Sequence, residues 1–323
     1  MTATESARLV IAHVSADEAL HRDFVADPPD AHIVRVRNPD PTLRGEFERA
    51  GFLVTPGWVN WTARVRSSEE EYLAGLVPGE RKEIRRIRRI LERDGVTLHV
   101  THGIDEGDLE RFLTLYDRQV ARMPHGVNFL RRQLRQIRAE RDQVIAGFAL
   151  ADGVMVAGCL GWIRRDGALL HLRFSATDTS GRLNGAVRAV YLKMFQAARK
   201  RGCDWISLGN DPALYGHTVQ PGLFVFKSRL GFTPVASRAV DVAIPGDEAD
   251  LILDLGPLAR PSVVLAHHDA PVSGPVPLDE APRLRAVVLS DGLEHELQGL
   301  RTDAVAMIER RRVPARLRDD RGE

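Results

Sequence analysis

Cysteine is nearly absent: the 323 residues hold two, Cys159 and Cys203, both in apolar surroundings. That excludes a disulfide framework, and the pair reads as small core side chains in a reducing compartment. Neither charge dominates, with 45 Lys plus Arg against 44 Asp plus Glu, so attraction to a polyanion has to come from local clustering. No Cys/His group has metal-ligand spacing, and no metal is expected. The chain also lacks a Gly-x-Ser-x-Gly elbow, a phosphate loop ending Gly-Lys-Ser, and a strand-linked Gly-x-Gly-x-x-Gly. Its start, "MTATESARLV", has neither the basic segment nor the apolar core of a secretion signal, from which a cytoplasmic protein is expected. One apolar run, "VIAGFALADGVMVAGCLGWI", is long enough for a membrane span. Asp152-Gly153 at its centre is a hairpin turn pair, so the run reads as two buried antiparallel strands.

What remains is ordinary for a globular protein: 44% hydrophobic and 28% charged residues. The first hundred residues alternate strand and helix, with "RLVIAHVS" and "AHIVRVRN" as strands and "FLVTPGWVNWTARVR" as a bent strand pair. A short helix follows Ser67, read as its cap, with Glu69, Glu70 and Glu71 in the first turn. "PGERKEIRRIRRILERDG" is an amphipathic helix stopped at Gly95, and helices are expected at 105–123 and 128–141. After the hairpin come the strand "ALLHLRFSATD", a helix over 183–200, the buried strand "CDWISLG", a helix over 225–230, and a last clear strand "FTPVASRAVDVAI". The order is mixed α/β. Beyond Gly256 the composition turns to Pro and Ala, and a weakly packed tail is expected, with a polar helix from about Gly292 to Arg312 and the last ten residues disordered.

From Asp105 onward this order resembles the GNAT acyltransferase superfamily. Gly222-Leu223, Phe226-Lys227 and Gly231-Phe232 are similar to the closing pattern of the Fem family and its CelD-like relatives. The resemblance spans residues 30–245 and implies a tandem GNAT fold. It divides the chain into a shortened N-terminal GNAT-like unit (1–79), a basic connecting helix and strand (80–104), a complete GNAT catalytic domain (105–250), and a Pro-rich segment with a polar helix and tail (251–323). One departure concerns the turn that binds the pyrophosphate of acetyl-CoA in such proteins. In "SGRLNGAV", Arg182 and Gly185 fit, but Val187 stands where Gly or Ala is usual, and a β-branched side chain obstructs close approach of phosphates. The resemblance therefore implies an aminoacyl-tRNA-dependent N-acyltransferase that needs no bound cofactor. An acyl-CoA-dependent N- or O-acetyltransferase and a non-catalytic RNA-binding module are the alternatives.

Acyl transfer to an amine needs a donor for the oxygen that turns negative as the amine attacks. Lys227, set among Phe224, Phe226 and Phe232, is the candidate, with Phe226 and Gly222 shaping the pocket. The plainer alternative puts Lys227 on the outside of a short helix whose phenylalanines fill core. Tyr215 and His217 in "ALYGHT" follow a strand end; His217 suits the task of taking the acceptor's proton. Asn210 and Asp211 end that strand, where ligands of α/β sheets gather, though Asn-Asp-Pro is also a common turn. Arg173 and Ser175 share one face of the preceding strand and are candidates for the acceptor pocket. Arg81, Lys82, Arg85, Arg86, Arg88 and Arg89 form one basic ridge and Arg132 and Arg135 belong to a second, both suited to RNA phosphates. The expected partners are aminoacyl-tRNA and a small amine, with neither membrane nor metal.

Overall fold

The computed structural model describes residues 9–123, 126–178, 183–241, 243–244, 246–292, 299 and 301–313. The chain runs β1 (Ile11–His13), α1 (Ala16–His21), β2 (Ile33–Arg37), α2 (Arg44–Arg49), β3 (Leu53–Pro56), β4 (Trp58–Arg64), α3 (Glu69–Ala74), α4 (Pro78–Arg93) and β5 (Thr97–His102). It continues through α5 (Glu106–Ala121), α6 (Phe129–Arg132), α7 (Leu134–Ala139), β6 (Val144–Ala151), β7 (Val154–Arg164), β8 (Leu169–Thr177), α8 (Val187–Lys200) and β9 (Trp205–Pro212). β10 (Leu214–Tyr215), α9 (Pro221–Arg229), β11 (Thr233–Ala236), β12 (Asp247–Ile252), β13 (Ser262–His267), β14 (Leu284–Ser290) and β15 (Ile308–Arg312) complete it. Two compact units result. One joins Met1–Asn60, Asn210–Ser228 and Thr233–Glu323, and the other joins Trp61–Gly209 and Arg229–Phe232.

The second unit is built on strands in the order β4-β9-β8-β7-β6-β5. The hairpin between β6 and β7 turns at Asp152 and Gly153 with φ of 48° and 78°, the left-handed pair that matches strand twist. Two glycines let helices press on opposite faces of this sheet. A Cβ on Gly147 would meet Met194 Sδ of α8 at 2.7 Å, and one on Gly158 would meet Phe112 Cδ2 of α5 at 2.7 Å. Phe112, Phe148, Leu160, Trp162 and Phe174 form the core beneath α5. β8 and β9 run parallel, paired only from Leu169–Trp205 to His171–Ser207.

Local chemistry explains the ends of the helices. α3 is capped by Ser68, whose hydroxyl accepts from Glu71 N, and the expected cap Ser67 instead donates its hydroxyl to the Glu71 carboxylate. α4 begins with a proline in its first turn and buries Ile84, Ile87 and Leu91, and Gly95 turns out of it at φ 63°. The helix expected over 128–141 is divided into α6 and α7, because the chain leaves helical geometry at Gln133.

The first unit holds two four-stranded sheets, β1-β2-β12-β3 and β10-β13-β14-β15. β3 pairs with β12, not with β4 as the bent-pair reading expected. The last strand of that reading stops at Ala236, followed by a 3-10 turn over Ser237–Ala239. The segment after Gly256 is the larger correction. Residues expected to pack weakly form the buried strands β13 and β14, and Val264, Ala266, Val287 and Leu289 make a core with Leu53 and Leu255. The polar helix expected from about Gly292 to Arg312 is, among the described residues, a 3-10 turn over Thr302–Ala304 and the strand β15, which pairs in parallel with β14 from Ile308 to Arg312. Residues 314–323, expected to be disordered, lie outside the described residues.

Two outcomes check this architecture. Leu214 and Tyr215 of β10 pair with Val264 and Val263 of β13. Ending the chain at Gly256 should therefore strip hydrogen-exchange protection from Leu214 and Tyr215; retained protection would show the C-terminal strands to be dispensable. Cys159 is wholly buried and its thiol is pushed up to about 12, while burial also raises Cys203. Both thiols are also enclosed, at 0% and 5% exposure, so iodoacetamide should label neither until denaturant is added.

Candidate active site

Asp211 lies near the end of β9, Tyr215 on β10, and Lys227 on α9, and all three residues belong to the first unit. α9 opens with Pro221, whose missing N–H is harmless in a first turn. Its residues Phe224, Lys227 and Ser228, spaced three and four apart, share the buried face. Lys227 Nζ donates to Asp211 Oδ2 at 2.7 Å, and the Tyr215 hydroxyl donates to the same oxygen at 2.9 Å. Lys227 is 6% exposed, Asp211 7% and Tyr215 0%. The Phe224 ring meets Tyr215 edge to face, centroids 5.8 Å apart at 80°. Gly216 follows because nothing larger fits: a Cβ there would lie 2.0 Å from Ser262 Oγ of β13.

Three of the residues proposed for catalysis thus form one hydrogen-bonded set, and the lysine's frame differs from the expected one. Its neighbour is a carboxylate, and the buried ring beside the set is Phe224; Phe226 is half-buried and Gly222 exposed. His217 is half-buried two residues past Tyr215, its carbonyl accepting from Gln220. Asn210, next to Asp211, is half-buried, and its Oδ1 accepts from Asn60 Nδ2 at 2.5 Å and Ser237 Oγ at 3.0 Å. Asn60 and Ser237, each 1% exposed, escaped the sequence reading. The available signal was a lone asparagine inside the apolar strand "WVNWTAR".

The remaining candidates belong to the second unit. Arg173 is exposed on β8 with its guanidinium 5.5 Å from the Phe174 ring, and the Ser175 hydroxyl is directed to the buried Cys159 Sγ at 3.3 Å. The basic ridges are partly neutralised. Arg81 donates to the carbonyls of Ala74 and Leu76, Arg86 holds Glu83 with two bonds, and Arg88 pairs with Glu69. Lys82, Arg85 and Arg89 are exposed and, three and four residues apart, lie along one side of α4. Arg132 lies 5.7 Å over the Phe129 ring and Arg135 is exposed, while Arg131 and Arg138 pair with Asp117, Glu106 and Glu110.

At the start of α8, Arg182 lies outside the described residues, Gly185 has φ 93°, and Val187 is buried. The N–H groups of Ala186, Arg188 and Ala189 donate to Leu183, Gly185 and Ala186 carbonyls. Arg188 Nε lies 2.6 Å from the fully buried Glu80 carboxylate, which Arg229 approaches at 3.4 Å.

An antiparallel meander, a long helix and a strand parallel to the meander's last member define a GNAT-type fold. Residues 79–217 match the family model described as acetyltransferase (GNAT) domain. The matched segment takes in Asp211 and Tyr215 and ends before Lys227. Solved structures to which the chain is similar include L-PGS from Bacillus licheniformis, at 13% identity over 67% of this chain and 66% of that one with a TM-score of 0.40. FemX is similar at 13% identity over 71% and 74%, TM-score 0.42, and a tandem GNAT protein from the clavulanic acid biosynthesis pathway at 12% over 69% and 64%, TM-score 0.36. This chain spans about two thirds of the first of these structures. No curated protein matches it.

The ion pair makes a stability prediction. Removing one partner of a buried pair strands the other's charge and costs about 3–5 kcal/mol, whereas removing both relieves most of that loss. Lys227→Met should lower the unfolding free energy by about that amount in urea titration, and Lys227→Met with Asp211→Asn should recover more than half. A double variant no more stable than the single one would show that the charges are not coupled.

Proposed function

We propose that this acyltransferase moves an aminoacyl group from aminoacyl-tRNA to the amine of a small acceptor, with Lys227 as the donor to the reacting carbonyl oxygen. The observation that carries the reading is the buried Lys227–Asp211–Tyr215 set. Because Nζ donates to a carboxylate, Lys227 fits the role of a cation for a negative oxygen and not that of a base. Asp211 and Tyr215 hold it in place, so little reorganisation is needed when charge develops. The neutral acceptor amine attacks the ester carbonyl, the C–N bond forms, the C–O bond to the ribose breaks, and the released hydroxyl takes up a proton. His217 is the candidate to carry the proton from the attacking nitrogen.

α8 and α4 bear on the identity of the donor. At α8 three N–H groups of the opening turn are engaged within the chain, Val187 fills the position nearest the turn, and Arg188 is drawn to Glu80. A pyrophosphate finds few free donors there among the described residues. Lys82, Arg85 and Arg89 offer unpaired positive charge to a polyanion on the described face of α4. The second reading, an acyl-CoA donor, is favoured by the description of the matched domain family as an acetyltransferase.

Purified protein incubated with charged tRNA and a panel of amines should give a product whose formation RNase abolishes. Transfer from acetyl-CoA with no consumption of any charged tRNA would establish the second reading instead. Lys227→Met, assayed below its unfolding midpoint, should lower kcat by about 10²-fold, the scale of losing one oxyanion donor. Neutralising Lys82, Arg85 and Arg89 together should flatten the salt dependence of tRNA binding and leave kcat intact.

A further inference from the structure

Arg238 is the middle residue of the 3-10 turn Ser237–Ala239, directly after the Ser237 whose hydroxyl donates to Asn210 Oδ1 at 3.0 Å. Its side chain is half-buried, and Nε is enclosed by protein without a hydrogen-bond partner. Gly246 gives the direction of the guanidinium: a Cβ there would lie 3.7 Å from Arg238 Nη1 and would collide with Asn38 Oδ1. Guanidinium and amide thus come together over bare backbone. Elsewhere in the first unit such a charge is answered. Among its described residues Arg35, Arg44, Arg285, Arg301 and Arg311 are also half-buried, and each pairs with a carboxylate. Arg238 forms no ion pair with a described residue. A guanidinium does not shed its proton in a protein, so its withdrawal from water has to be offset by another charge. A water molecule can fill the open N–H bond but brings none.

We infer that Arg238 is a binding residue for an anionic group, a carboxylate or a phosphate, carried by the acceptor amine. A guanidinium takes either group through parallel N–H bonds. An acceptor held at Arg238 by its anionic end leaves its amine free to attack. The acceptor is then a small molecule with an amine at one end and a negative charge at the other. Its role as acceptor rests on the acyl-transfer reading of the site; the anion site at Arg238 does not.

The test is nuclear magnetic resonance of the isotope-labelled full chain, titrated with sodium phosphate and separately with sodium acetate, ionic strength being held constant with sodium chloride. The backbone amide signals of Asn38 and Gly246 should shift saturably with at least one anion: phosphate alone marks a phosphate-bearing acceptor, acetate alone a carboxylate-bearing one. Arg238→Gln should weaken that binding about 10-fold or more, the scale of a lost charge-assisted hydrogen bond, and Arg238→Lys should keep part of it. Removing an unanswered charge should also raise the melting temperature of ligand-free Arg238→Gln by a few degrees, where loss of a structural arginine lowers it. In the transfer assay Arg238→Gln should raise the KM for the acceptor and not the KM for charged tRNA; the reverse assigns the anion to the donor and overturns the acceptor role. Absence of any transfer sinks the acyl-transfer reading and leaves the titration to decide the anion site. No saturable shift, an equal shift with chloride alone, or binding by Arg238→Gln as tight as wild type overturns that site.

Discussion

An ammonium group withdrawn from water demands a counter-charge, and the arrangement of the first unit around its site follows from meeting that demand. Lys227 is delivered by α9 and Asp211 by β9, sixteen residues apart in the chain, and they meet at 2.7 Å with almost no exposure. Neither element alone could hold the charge: an isolated buried ion costs several kcal/mol. Tyr215 adds a second donor to the same carboxylate oxygen and so binds β10 into the set. β10 in turn pairs with β13, which ties the site to strands near the C-terminal end of the chain.

The second unit applies the same rule to a carboxylate. Glu80, fully buried in the first turn of α4, is met by Arg188 from α8 and by Arg229. Three segments far apart in sequence are thereby fixed at one point. At the start of α8 the Arg188 guanidinium is held by Glu80, beside a buried Val187.

Much of this was legible in the residues. Asp152-Gly153 announced its hairpin because left-handed φ at two successive positions is tolerated by few pairs, and the structure has both. The spacing of Ile84, Ile87 and Leu91 gave α4, and Phe-Lys near a glycine marked α9. The partner of Lys227 was harder to see. Asp211 looked like part of a turn, because "NDP" is a common turn sequence and nothing local reveals a contact made across sixteen residues. Asn60 and Ser237 were invisible for the same reason, since their role is a bond to Asn210 and not a pattern of their own. The segment after Gly256 misled through composition. Proline and alanine read as weak packing, yet among the described residues the prolines fall between strands, where a missing N–H costs nothing, while "SVVLAH" and "LRAVVLS" carry the burial.

The end of β9 shows why a strand is a good place to divide labour. Asp211 and Asn210 are neighbours in sequence, yet strand geometry sends their side chains to opposite faces. On one face a carboxylate is consumed in holding a cation; on the other an amide oxygen accepts from Asn60 and Ser237. Each polar group is satisfied by buried partners, so neither relaxes freely. The polar groups on an open surface reorient around whatever arrives, while these have one orientation fixed before it does.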